Sequence, residues 1–150
     1  MGKVKLILIL ILGMTMTQCA EDSPETYTLD KPFEVPEAGF VTLTWGDADK
    51  WIDLMVIDIN ESRCPSDVVC IRYGEAEVKI GINGTQEVLQ TLDLCLGDCP
   101  QSNKGFIEAD TAQVELDGEN YAVILTAVTP YPTTTNQSVT KKAVLKVISE

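Results

Sequence analysis

Histidine is absent from the 150-residue sequence, and with it go the commonest general base and the commonest nitrogen ligand for transition metals. Ser-His-Asp and Cys-His nucleophilic mechanisms are thereby excluded. Basic residues are scarce as well, with 11 Lys and Arg set against 23 Asp and Glu. A chain this acidic has no cationic patch to neutralise phosphates, which excludes nucleic acid as a partner and leaves no direct electrostatic hold on anionic lipid. The acidity instead favours solubility and non-adhesion. The apolar run Leu6 to Leu12 is far shorter than the roughly 20 residues that a membrane-spanning helix needs. Helical periodicity is hard to find, and no internal repeat is visible.

What the N-terminus does contain is ordered. Lys3 and Lys5 precede the apolar run, which gives way to Gly13 and the segment Met14 to Gln18. This is the three-part layout of a signal peptide. Cleavage by signal peptidase I wants small residues at two fixed positions, and Gln18 before Ala20 occupies one of them. The segment Met16-Thr17-Gln18-Cys19 resembles the lipobox of bacterial lipoproteins, in which the cysteine thiol receives a diacylglyceryl group and becomes the new N-terminus. Gln18 departs from the Gly, Ala or Ser preferred there, but is similar to lipoproteins of the Bacteroidota, whose surface-export tag Glu21-Asp22 resembles. The resemblance implies a lipoprotein signal peptide over residues 1–18 and an acyl (palmitate-type) anchor on Cys19. It also implies a place in the cell envelope, at the outer membrane on its periplasmic or surface face, with the membrane as partner through the anchor. The alternative is an uncleaved or differently cleaved signal, with Cys19 an unpaired thiol.

Residues 19–30 are polar, acidic and interrupted by Pro24, as suits a flexible tether. A single domain is expected over 31–150, with order starting near Thr26. Removal of Lys3 and Lys5 with the signal takes the formal charge from −12 to −14. About 120 structured residues suffice for one hydrophobic core and do not call for two.

Once Cys19 is set aside, Cys64, Cys70, Cys95 and Cys99 remain, and an even count in an exported domain reads as disulfides. Three pairings are open. Local pairing, favoured here, closes two small loops that contribute about 2 kcal/mol each, against about 3.5 for pairing across them. The spacings fit neither a zinc ribbon nor a Cys-x-x-Cys redox motif, although redox or metal-handling use of Cys64/Cys70 or Cys95/Cys99 is the alternative.

Strand signals fill the rest. Phe40 to Trp45 is β-branched and aromatic, with a turn signal at Gly46-Asp47. Trp51 to Ile59 has apolar residues on both parities, as expected of a strand covered on both faces. Glu75 to Ile82 alternates, with Ala76, Val78, Ile80 and Ile82 on one side, the signature of a half-buried strand. Asn83-Gly84 reads as a hairpin turn, and burial selects an odd-length loop that sets Val88 opposite Val78 or Ile80. Gln86 to Leu94, Lys104 to Glu108, Gln113 to Leu116, Tyr121 to Thr129 (expected to be the longest) and Val139 to Ile148 complete the series, with a turn at Asp117-Gly118 and a Pro- and Thr-rich loop over Pro130 to Ser138. The fold class is therefore all-β: a single antiparallel sandwich of about eight strands, with a small barrel as runner-up.

Chemistry is sparsely signalled. Asp47, Asp49 and Asp53 cluster with Trp45 and Trp51, as a sugar stacked on indole would require, and Asp47-x-Asp49 resembles the start of a calcium loop but lacks its further ligands and glycine. Both read better as loop acids beside partly buried aromatics. No cofactor and no catalytic residue is assigned. Asp110-Thr111-Ala112 resembles the O-glycosylation site of Bacteroidota, which makes Thr111 a candidate.

The most distinctive words are Glu61-Ser62-Arg63-Cys64-Pro65, Val69-Cys70, Gly74-Glu75-Ala76 and Thr129-Pro130-Tyr131-Pro132. Over residues 38 to 149 they resemble a group of uncharacterised small lipoproteins of Bacteroidota and related bacteria, whose pattern reads roughly D-S-R-C-P-x-x-V-x-C-x-W-x-G. Glu61 stands in place of Asp, and Arg72-Tyr73 in place of Trp and its neighbour. The resemblance implies a Cys64–Cys70 bridge, leaving Cys95 to pair with Cys99, and it carries no activity. Arg63 is expected to form a structural ion pair with Glu61 or an aspartate. The reading is a membrane-tethered, non-enzymatic binding or structural module with an unidentified protein or glycan partner. A thiol-redox or metal-handling lipoprotein, and an inhibitor of secreted enzymes presenting the Pro130 to Ser138 loop, are the alternatives.

Overall fold

The computed structural model describes residues 26–45, 50–85, 88–100 and 105–150. They form a β-sandwich with no helix among them. Nine strands follow in chain order: β1 (Thr26–Tyr27), β2 (Phe33–Pro36), β3 (Phe40–Trp45), β4 (Lys50–Glu61), β5 (Glu75–Asn83), β6 (Gln90–Gly97), β7 (Asp110–Leu116), β8 (Glu119–Thr129) and β9 (Lys142–Ser149). One sheet runs β1-β3-β4-β5-β6 and the other β2-β9-β8-β7. All pairings are antiparallel except β1 with β3. The sandwich takes in residues 26–30, which the boundary at 31 assigned to the tether.

The core lies between the two sheets. Alternation places Val41 and Leu43, then Ile52, Leu54 and Val56, then Ala76, Val78, Ile80 and Ile82 on the inner face of the first sheet. Val114, Tyr121, Val123, Leu125, Ala143, Leu145 and Val147 face them from the second. In two strands with apolar residues on both parities, a bulge brings the apolar residues beyond it back to the inner face. In β4 the register shifts between Val56 and Asp58, making Ile57 the extra residue, so that Val56 and Ile59 both point inward. The expectation of a doubly covered strand is therefore corrected, because Trp51, Met55 and Ile57 are only half-buried on the outer face. β8 repeats the device between Leu125 and Ala127, bringing Val128 into the core. A bulge swaps parity for every residue beyond it. At 12 residues β4, not β8 with 11, is the longest strand.

Three further expectations change. Asn83 is the last residue of β5, and no left-handed conformation occurs at Asn83 or Gly84. Gly84 instead lies against the Asp117 carboxylate, where a Cβ would come within 2.6 Å, and Asp117 accepts the Thr85 N–H at 2.8 Å. The connection has odd parity as burial demands but is longer, pairing Ile82 with Gln90 and Ile80 with Leu92. Val88 is left 86% exposed. Leu89 lies over Gly81 on the outer face, filling space that a side chain there would occupy. Lys104 falls outside the described residues, and the expected strand to Glu108 reduces to one bridge, Ile107 with Gly97. Asp117-Gly118 does form a two-residue turn with both residues left-handed, which fits a tight hairpin.

Side chains close the side on which β6 and β7 are the two sheet edges. Asp110 accepts the Cys95 N–H at 3.0 Å, and Gln90 donates to the Glu115 carbonyl at 3.0 Å.

Candidate functional site

Two loops meet at one pole of the sandwich, where β4 and β8 end. The first, between β4 and β5, is closed by a disulfide between Cys64 and Cys70, whose Cα atoms lie 5.9 Å apart. A further disulfide joins Cys95 and Cys99, with Cα atoms 6.1 Å apart, at the end of β6. Both separations lie within the range that a disulfide spans. Local pairing is thus found at both pairs. Cys70 is exposed, whereas Cys99 is buried.

The first loop is pinned at its base by backbone bonds, Ser62 N–H to Glu75 O and Cys64 N–H to Tyr73 O. Gly74 makes the return possible. Its φ of 72° is left-handed, and a Cβ would lie 2.1 Å from the Ser62 carbonyl oxygen. At Gly97, with φ 101°, a Cβ would lie 2.5 Å from the Gly74 carbonyl oxygen, which accepts the Asp98 N–H at 2.9 Å.

Arg63 carries the expected ion pair. Its guanidinium binds both oxygens of Glu61, donates to the Val128 carbonyl at 2.9 Å and stacks 4.5 Å from the Tyr131 ring centroid. The Arg63 and Glu61 side chains are only 8% and 3% exposed, so the pair ties the β4 end to β8 inside the protein. Three of the five guanidinium N–H donors are thereby used within the chain.

The Pro- and Thr-rich loop packs on the cysteine loop. It begins with a cis peptide at Thr129–Pro130. Asn136 braces it from within, accepting the Thr133 N–H at 2.7 Å and donating to the Tyr131 carbonyl at 2.9 Å. Across the seam, Ser66 N–H donates to Pro132 O, and both Asp67 oxygens accept from Thr134. These hydrogen bonds hold the Asp67 carboxyl below the ordinary aspartate range. A small pocket of about 310 Å³ remains beneath the seam, lined by Arg63, Pro130, Pro132, Asn136, Val139 and Lys141 among others.

What the cysteine loop shows to solvent is apolar. Val69 is 100% exposed, Ile71 is equally bare, and Val68, Tyr73 and Phe106 are each about half exposed or more. Tyr73 and Phe106 meet edge to face, with centroids 4.7 Å apart. Between Val68 and Tyr73 the sequence has one charge, on Arg72. Buried positions are where such side chains normally sit, and a group of them on a braced loop marks an interaction surface.

The remaining candidates do not converge. Trp45 points inward, edge-on to Tyr121 at 5.7 Å, whereas Trp51 lies on the outer face. Asp53 accepts the Thr42 hydroxyl at 2.7 Å; Asp47 and Asp49 lie outside the described residues, as does Cys19. The two tryptophans cannot bracket one sugar ring from opposite faces of a sheet. A larger open cleft of about 900 Å³ beside Cys95–Cys99 is lined by Asp58, Glu77, Lys79, Asp93 and Asp110. Among the described residues, no three acidic or cysteine side chains come together as a metal site. Thr111 lies exposed on β7, its N–H bonded to Asp110. Tyr121, at the opposite pole, has its hydroxyl pushed well above the usual phenol range by burial and by Glu119, which accepts its hydrogen bond at 2.8 Å.

Sequence reading anticipated Arg63, Glu61 and the four cysteines but missed the apolar loop surface. The signal was available: Val-Val-Cys-Ile-Arg-Tyr is apolar on both parities yet lies between cysteines and a glycine, with no strand partner. Comparison with protein families, with characterised proteins and with solved structures returned no match. The functional reading therefore rests on this geometry.

Proposed function

We propose that the protein is an exported, lipid-anchored, non-enzymatic binding module of the cell envelope. The observation that carries this reading is the apolar pole: a disulfide-closed loop, braced by a buried ion pair and a second loop, offering Val69 and Ile71 fully to solvent. Folding alone gives no reason to hold such side chains in water, whereas a binding surface with little conformational freedom loses little entropy on contact. The oxidised cysteines fit an exported address, and the lipobox-like Cys19 supplies the anchor. Thr111 is the candidate for a surface glycan.

Mass spectrometry of the membrane fraction tests this directly. The expected mass is that of a chain beginning at acylated Cys19 with no free thiols, and Cys19→Ala moves the protein to the soluble fraction. A water-soluble native protein, or one with free low-pKa thiols, refutes the reading and supports the thiol-redox alternative.

A further inference from the structure

Resting on the anchored reading above, we infer that the cysteine loop and Phe106 seat in the interfacial layer of the same bilayer that holds the acyl anchor. The argument starts from strand direction. β1 is parallel to β3, with Thr26 level with Thr42 and, through it, with Asp53 of β4. Traced backward from Tyr27 to Thr26, the chain heads toward the end of β4, the pole that carries the cysteine loop.

Length then decides what reaches the bilayer first. From Asp53 to Glu61 is eight residues including one bulged position, or about 23–26 Å at the rise of a strand. Cys19 precedes Thr26 by seven residues, whose fully extended span is at most about 23–25 Å. An anchor on Cys19 thus reaches no farther than the level of Glu61, and the Cys64–Tyr73 loop projects from that level. At full reach along the direction of β1, an anchor on Cys19 sets the loop tip at the membrane plane.

The chemistry at the tip suits that layer. Val69 and Ile71 offer aliphatic surface, Tyr73 supplies an amphipathic ring of the type that settles at headgroup depth, Phe106 adds apolar ring surface, and Arg72 can keep its head at the phosphates while its stem lies along apolar surface. Asp67, two residues before Val69, has its carboxylate held by the Thr134 N–H and hydroxyl. The fourteen net negative charges of the processed chain give no electrostatic hold on anionic lipid, so apolar and aromatic contacts are what seat this pole.

The test uses the full, anchored chain in phosphatidylethanolamine–phosphatidylglycerol vesicles whose acyl chains carry bromine near the headgroup. Trp45 and Trp51 lie at the opposite pole, beside the pairings of Trp45 with Lys50 and Thr44 with Trp51, and act as internal controls. The expected result is unquenched native emission, with a blue-shifted, bromine-quenched component added in Ile71→Trp and in Val69→Trp. Both sites are bare, so neither substitution disturbs the core. Absence of that component in vesicle-bound protein overturns the inference while leaving anchoring intact, as does quenching of the native tryptophans. A native chain that is dimeric in detergent and becomes monomeric with Ile71→Asp assigns the loop to a second copy and overturns it too. If the native chain fails to float with vesicles, the anchoring reading falls and this inference falls with it.

Discussion

Replacing Arg63 with Met tests how the pole is held together. The substitution keeps most of the aliphatic volume but removes the guanidinium, which contacts both Glu61 oxygens, the Val128 carbonyl and the Tyr131 ring. What remains is a carboxylate that is 3% exposed and whose partner in the structure is the Arg63 backbone N–H at 3.0 Å. Breaking a buried pair from one side costs about 3–5 kcal/mol, chiefly because the surviving charge is left uncompensated. An exposed pair such as Lys50 with Glu119 contributes at most about 1 kcal/mol, so the two cases separate cleanly. Urea denaturation with disulfides intact is the assay. At a slope of about 2 kcal/mol/M, the expected loss moves the midpoint down by roughly 2 M. The double variant Glu61→Leu/Arg63→Met removes both charges and should recover most of that loss, since apolar replacement of a whole buried pair is often near neutral. A single variant that loses less than about 1 kcal/mol, or a double variant no better than the single, refutes the claim that desolvated charge governs this site.

The two disulfides should differ in their ease of reduction, because attack requires access. Titration with a small thiol followed by alkylation and peptide mass analysis should label Cys64 and Cys70 well before Cys95 and Cys99, and the reverse order contradicts the exposures found. Gly74→Ala forces an L-residue into a left-handed conformation, worth about 1–3 kcal/mol, and adds a clash with the Ser62 carbonyl; a lowered thermal midpoint is expected, and an unchanged one counts against the tight return. The Asp67 carboxyl is held below its ordinary value by Thr134. Docking of the two loops is therefore complete above the unfolded aspartate pKa of about 3.9 and weakens as pH falls through the lower folded value. Carboxyl NMR of the Asp67 resonance should place its titration below the ordinary aspartate range, with Thr134 shifting in step. An ordinary titration disproves the contact in solution.

Much of the sandwich was legible because alternation in β5 leaves little freedom: Ala76, Val78, Ile80 and Ile82 can share a face only in a strand. The left-handed pair Asp117-Gly118 was equally plain. Other features were hidden for physical reasons. Apolar residues on both parities in β4 and β8 look like cover on two sides, and only the registers show the extra residue in each. Asn83-Gly84 has the composition of a tight turn, but Asp117 and Leu89, distant in sequence, decide what those positions do. At the pole, the cysteines and Arg63 were readable as residue types. The exposure of Val69 and Ile71 was not, because nothing local distinguishes an apolar loop from an apolar strand until the partners of each are known.

The parallel pairing of β1 has a mechanical consequence. Only two register pairs, Thr26 with Thr42 and Tyr27 with Leu43, join it to β3, and a pull on the N-terminal side runs along the strand axis. Under tension β1 should release first as a short extensible leader. The load then passes to β2, whose four pairs with β9 are sheared together. A domain pulled from its N-terminal side would lengthen by a few residues before its core felt any strain.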